Sequence, residues 1–228
     1  MDFQHSTDAE ETPTSKDREP LPEPPEDGGP DPDDQVNLTD EESRIMHTSE
    51  NGYQQAYNAQ ATVCTGSHLI LAGHISQKSN DKQELEPALR PLSELPEKVG
   101  SPDRLAADSG HYSLGNAQAC EDRGICPYIS AGREEHNQAW KERFSEPEGP
   151  PEKENGLEAM AHRLETREGK AFYGRRKGTV EPIFGIIKEV LGIRQFLLRG
   201  LKKVKGEWAL IRCAFNLKRM HRLAGEAA

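Results

Sequence analysis

The pattern of apolar and polar positions changes character several times along the chain. Tyr53-Gln54-Gln55-Ala56-Tyr57-Asn58-Ala59-Gln60-Ala61-Thr62-Val63-Cys64 mixes aromatic, β-branched and polar residues with partial alternation, which predicts a strand. Thr65-Gly66-Ser67 supplies a turn, and His68 to Ile75 predicts an antiparallel return strand. Asn80-Asp81 offers an N-cap for a short helix carrying Leu85 and Leu89 and ending near Pro91. Arg104-Leu105-Ala106-Ala107-Asp108 predicts a short strand that ends in an acid. Ser113 then caps a helix over 114–123, with Gly124 as its stop, and Ile125 to Ile129 predicts another strand. Strand, helix and strand in that order form a βαβ unit, so the two strands are expected to be parallel. Residues 130–156 are a polar, Pro- and Gly-containing excursion, followed by helices over about 157–169, 179–191 and 204–222. Proline is tolerated in the first helical turn, so Pro182 places the start of the second helix near Thr179 or Val180. Val180, Ile183, Phe184, Ile187 and Leu191 form its apolar stripe. The pattern predicts an α/β fold with a mixed sheet.

Charge divides the chain differently. Its 228 residues carry a formal net charge of −10, from 29 Lys+Arg against 39 Asp+Glu. Residues 1–34 hold 12 acidic and 2 basic residues together with seven of the 16 prolines, a composition that predicts a disordered acidic tail. Residues 161–228 hold 6 acidic and 16 basic residues, net +10, and stand against an acidic middle. The ordered part is therefore expected over 35–228, as one domain. An acidic enzyme with no polyanionic partner is a poor description of such a chain.

No apolar run approaches the roughly 18–20 residues of a membrane span, and Met1-Asp2-Phe3-Gln4-His5 lacks the basic and apolar regions of a signal peptide. Cys64, Cys120, Cys126 and Cys213 fall in no CxxC pair, which argues for a reducing cytoplasm and small buried thiols; the Cys120–Cys126 spacing does not suit zinc.

Three features could carry chemistry. Asp108 closes a strand just before a capped helix, where functional groups of open α/β sheets gather; the alternative is a turn cap. Glu181 sits in the first turn of its predicted helix. At ~100° per residue it lies within ~20° of Lys188, on one flank of the apolar stripe, and could point toward Asp108. The plainer reading of Glu181 is an acid stabilising a helix N-terminus. Arg175, Arg176, Lys177, Lys188, Arg194, Arg199, Lys202, Lys203 and Lys205 form a basic cluster interleaved with Phe172, Tyr173 and Phe196. Such a patch neutralises phosphates or is simply a solvated face.

Four blocks stand in order over about 35–223: Asn37 to Met46 followed by Gly52 to Val63 with its Tyr57-Asn58-Ala59-Gln60 core, Ala107-Asp108-Ser109-Gly110-His111-Tyr112-Ser113, the set Tyr173, Arg176, Glu181 and Lys188, and Arg199 to Leu210. In these blocks the chain resembles bacterial insertion-sequence DDE transposases of the Tyr-Arg-Glu-Lys signature group. The resemblance implies a ribonuclease-H-like mixed sheet flanked by helices. It also implies that Asp108 and Glu181 are two of three carboxylates holding a pair of Mg²⁺ ions. Lys188, Tyr173 and Arg176 would bind DNA phosphates, with Lys177 rather than Arg176 at the usual distance from the glutamate. The implied partners are transposon-end DNA and a full-length transposase or a second copy, with no membrane, in a bacterial cytoplasm at the nucleoid.

The resemblance also implies a first aspartate on a strand before the hairpin, and residues 35–51 contain no strand-like apolar run bearing one. Asp40 is the nearest substitute, but Thr39-Asp40-Glu41-Glu42-Ser43-Arg44 reads as a capped turn. The expectation is the C-terminal part of a transposase with the first strand missing, unable to cleave DNA alone. The rival readings are a non-catalytic fragment that inhibits a full transposase, and a structure-specific nuclease with a different first acid.

Overall fold

A computed structural model describes residues 37–48, 52–132, 147, 149 and 156–226; the acidic segment 1–34 lies outside them. Strand β1 (Arg44–Thr48) pairs antiparallel with β2 (Gly52–Ala56), from Arg44↔Ala56 to Thr48↔Gly52. Strand β3 (Asn58–Val63) pairs antiparallel with β4 (Ile70–Ser76), with a register shift between Thr62 and Val63. The long strand predicted from Tyr53 to Cys64 is thus two, broken at Tyr57. Its first half turns back onto Arg44–Thr48, a strand the sequence pattern missed because that run is short and mostly polar.

Helix α1 (Leu85–Leu89) passes directly into a 3₁₀ turn, Arg90–Glu94. Asp81 is not its cap: the helix begins after Glu84 with no side-chain cap bond. Glu84 is instead buried, its carboxylate accepting from Ser76 Oγ at 2.8 Å and meeting His74 Nε2 at 2.7 Å, so that α1 is pinned to β4. Strand β5 (Arg104–Ala107), helix α2 (Leu114–Glu121) and strand β6 (Cys126–Ile129) form the expected parallel unit, from Arg104↔Cys126 to Ala107↔Ile129. Ser113 Oγ caps α2 by accepting from Asn116 N at 3.1 Å, and Gly124 takes the positive φ of 70° that turns the chain toward β6. The fold is mixed α/β, but the described strands form three separate two-stranded sheets.

The helical end differs from the periodicity reading in several places. Helix α3 (Leu157–Glu165) stops at Thr166, whose hydroxyl accepts from Gly169 N at 3.0 Å and caps α4 (Arg167–Gly185). Helix α4 therefore starts well before Thr179 and carries Pro182 in its interior. Proline there has no N–H for the carbonyl four residues back, which belongs to Gly178, a residue with no side chain to crowd the ring. The helix then widens into a π turn over Ile186–Val190. That wider turn ends the simple ~100° phase relation expected between Glu181 and Lys188. Helix α5 spans Leu201–Glu226, longer at both ends than expected.

Two cores hold these elements. Leu85, Leu89, Leu92, Leu105, Ala117, Cys120, Ile125, Ile129 and Met160 pack β5, β6 and α1–α3 together with Ala72 of β4. Burial pushes the Cys120 thiol up to about 12, so it serves as a small hydrophobe. Ile70 and Ile75 of β4 pack against Ile183 and Ile187 of α4 and Val204, Trp208, Ile211 and Phe215 of α5. The spacing of those four α5 residues is the stripe of an amphipathic helix. Gly73 lets the helix lie close: a Cβ there would stand 2.8 Å from Arg212 Cδ and 3.0 Å from Trp208 Nε1.

Candidate metal centre

Strand β5 ends at Ala107, and the next residue, Asp108, turns the chain into a 3₁₀ turn, Ser109–His111. Asp108 Oδ1 accepts from Gly110 N at 3.0 Å, so part of the turn-cap reading holds. The other carboxylate oxygen stands 4.0 Å from Arg176 Nη1 on α4. The Arg176 guanidinium lies over the Tyr173 ring, 5.5 Å from its centroid, which fixes its approach.

Asp81 faces the same place from the segment before α1. Its Oδ1 accepts from Asn58 Nδ2 at 2.8 Å and from Gln60 Nε2 at 2.7 Å. Asn58 and Gln60 stand two apart on β3 and so project from one face of it, each offering an amide donor to one oxygen. That leaves Oδ2 toward the turn, where a Cβ on Gly110 would meet Asp108 Oδ1 at 3.1 Å and Asp81 Oδ2 at 3.3 Å. Asp81, Asp108 and His111 each bring a ligand atom within 4.8 Å of the others. The His111 Nδ1 atom is buried with no hydrogen-bond partner, and its carbonyl accepts from Asn116 Nδ2 at 2.6 Å.

Two carboxylates and an imidazole are a donor set for a divalent cation, and two acids this close favour a cation between them. An orphaned ring nitrogen beside them fits the same conclusion. Among the described residues no other group of three acids, thiols or imidazoles converges in this way.

The remaining predicted residues lie on or beyond α4. Arg176 reaches Asp108, and Tyr173 supports Arg176. Glu181 is exposed on the same helix. Five residues beyond Arg176, it lies ~140° around the helix axis and is not in the three-residue group. Lys177 is exposed and Lys188 half-buried within the π turn. Asp81 and His111 are not legible as ligands in the sequence: Asn80-Asp81 before a helix looks like a cap, and no spacing marks His111 as a metal ligand. The alternation that places Asn58 and Gln60 on one face was the available signal for Asp81, since two amides side by side call for an acceptor.

Elsewhere, Asp40 is the acceptor of the Tyr57 hydroxyl at 2.8 Å and takes no part in the cluster. Among the described residues no helix is long and apolar enough to cross a membrane. One protein family, described as Transposase DDE domain, matches residues 17–217. Neither a curated protein nor a solved structure matches the chain.

Proposed function

The chain belongs to the transposase DDE domain family, of insertion-sequence type, and on that premise we propose that it binds transposon-end DNA and Mg²⁺ around Asp108. The single observation that carries this reading is the convergence of Asp81, Asp108 and His111 at the carboxyl end of β5, with Arg176 beside them. Members of the family use divalent metal ions, and Mg²⁺ suits a site dominated by carboxylate oxygens. When bound, such an ion lowers the pKa of its water and stabilises the leaving oxygen of an in-line displacement at phosphorus.

The chain's own residues have distinct parts in this reading. Asp108 and Asp81 hold the cation; Asn58 and Gln60 orient Asp81 by occupying its other oxygen. Glu181, the acid that the family likeness pairs with Asp108, is the further ligand on α4, drawn in when DNA and metal are both present. Tyr173, Arg176, Lys177 and Lys188 neutralise phosphates beside it. In this reading the described strands are parts of a ribonuclease-H-like sheet, and among the described residues no strand between β3 and β5 supplies a further acid. Cleavage by these residues alone is therefore slower by orders of magnitude than by a complete site.

The test is strand nicking of insertion-sequence end DNA by the purified chain with Mg²⁺. Expected is DNA binding without nicking. Efficient nicking that Asp108→Ala abolishes would show the site to be complete and overturn the proposed deficiency.

A second reading, regulation by pairing with a full transposase or another copy, is favoured by one feature of α5. Opposite its buried stripe, Leu210, Leu217 and Met220 are exposed, 72%, 59% and 46% respectively. Sedimentation that shows a monomer at all concentrations, and no complex with a full transposase, would remove it.

A further inference from the structure

The two acids of the metal centre have few oxygens to spare. Asp81 Oδ1 is taken up by the amides of Asn58 and Gln60, which leaves Oδ2. Asp108 Oδ1 accepts from Gly110 N, and Oδ2 stands 4.0 Å from Arg176 Nη1. Neither carboxylate is free to chelate a cation with both oxygens. The Arg176 charge also offsets part of the electrostatic attraction on which a hard cation depends. Charge and oxygen donors alone therefore make a weak site for Mg²⁺, an ion that keeps its waters unless oxygen ligands replace them well.

The third donor is of a different kind. His111 Nδ1 is buried with no hydrogen-bond partner among the described residues. The segment that carries the ring is held firmly. Asn116, 6% exposed, donates through Nδ2 to the His111 carbonyl at 2.6 Å and to the Lys82 carbonyl at 2.9 Å. Lys82 follows Asp81, so one buried amide ties the His111 turn to the segment bearing Asp81. The three side chains thus bring their donors within 4.8 Å of one another on a scaffold that is set before any ion arrives. A spread of that size is one that donors around a single ion can span.

We propose that His111 is a direct nitrogen ligand, through Nδ1, and that it makes this centre prefer a late first-row transition-metal dication, of the Co²⁺ class, over Mg²⁺. The proposal rests on the metal-binding reading above and deepens it by naming the class of ion. Imidazole nitrogen adds strongly to the binding of late dications and little to that of Mg²⁺. Late ions bind more tightly than early ones at almost any set of donors. The assignment is therefore carried by how the preference changes when the nitrogen is removed, not by the preference alone.

The full chain, free of DNA, is titrated calorimetrically with Co²⁺ and separately with Mg²⁺. Native protein is compared with His111→Asn, which keeps a polar side chain but offers an amide oxygen in place of the ring nitrogen, and with Asp108→Asn. His111→Asn should weaken Co²⁺ binding about 10-fold or more and change Mg²⁺ binding by less than roughly 3-fold, whereas Asp108→Asn should weaken both. A second readout needs no variant to fold: pulsed electron paramagnetic resonance of the native chain loaded with Mn²⁺ should show coupling to a coordinated nitrogen. The same coupling should be missing from His111→Asn.

Equal Co²⁺ affinity in native and His111→Asn chains overturns the proposal, as does a Mn²⁺ spectrum with no nitrogen coupling. In that event Asp108→Asn still weakens both ions, so the loss of His111 as a ligand is distinct from failure of the metal reading. Uptake of both ions that Asp108→Asn leaves unchanged overturns the two together.

Discussion

At the scale of single residues, the decisive feature is how Asp81 and Asp108 meet. Asp108 was legible in the sequence because an acid closing a short apolar strand before Ser-Gly has few plain explanations. Asp81 was not, because Asn80-Asp81 four residues before Leu85 matches a helix start, and a cap and a ligand look alike without the third dimension. The donors on Asp81 make a distinguishing prediction. Gln60→Leu removes one of its two amide bonds, and Mg²⁺ affinity should fall roughly 10-fold with little change in fold stability, as for groups that orient a ligand. Comparing Asp81→Asn with Glu181→Gln by the same titration separates the two acids: without DNA the first should weaken binding and the second should not.

Gly169 carries a stability prediction of the opposite kind. Alanine is intrinsically better than glycine inside a helix by about 1 kcal/mol, yet a Cβ on Gly169 would stand 1.8 Å from the Arg163 carbonyl oxygen. Backbone overlap on that scale exceeds the propensity gain, so Gly169→Ala should lower unfolding free energy by about 2–3 kcal/mol in a denaturant titration. An unchanged midpoint would mean that α3 and α4 do not meet as closely as described.

At the scale of elements, the two ends of the described chain are tied together. Glu42 Oε2 accepts from Leu201 N at 2.8 Å and so caps α5, while Asp40 accepts from Tyr57. The turn over Asn37–Ser43 was legible: Asn37 Oδ1 accepts from Thr39 N and Ser43 N donates to the Asp40 carbonyl. Its attachment to a helix about 160 residues away in sequence was not, because local pattern carries no information on which distant N–H an acid will meet. Glu42→Ala should cost about 1 kcal/mol, as loss of a helix cap does, and should speed amide exchange at Leu201.

Asp40 adds a pH dependence. Burial raises its pKa, but the Tyr57 hydroxyl and the Gly200, Glu42 and Ser43 main chain outweigh that and hold it below 3.8. A carboxyl depressed on folding stabilises the fold fully above its unfolded value, and that contribution is lost as pH falls through the folded one. The stability deficit of Asp40→Asn should therefore be full at neutral pH and shrink below about pH 3.8, read from urea midpoints across that range.

At the scale of the whole molecule, hairpin, βαβ unit and terminal helices were legible because their periodicities differ so clearly. The separation into three sheets was not, since strand patterns specify which face is buried but not which edges meet. The charge division has its consequence here. A net +10 over residues 161–228 places cations on α4 and α5, so the net −10 of the chain says little about its partners. If that face engages about 5 phosphates, log K for DNA should fall against log salt with a slope of about −4.5, and replacing Lys202 and Lys203 by glutamine should reduce that slope by about 2.

A divalent cation held at Asp108 is the centre of the proposed chemistry, and a calorimetric titration of the full chain with Mg²⁺ tests it most directly. Saturable uptake by the native chain, weakened at least roughly 10-fold in a folded Asp108→Asn variant, is the predicted result. Identical uptake by the native and Asp108→Asn chains would contradict it.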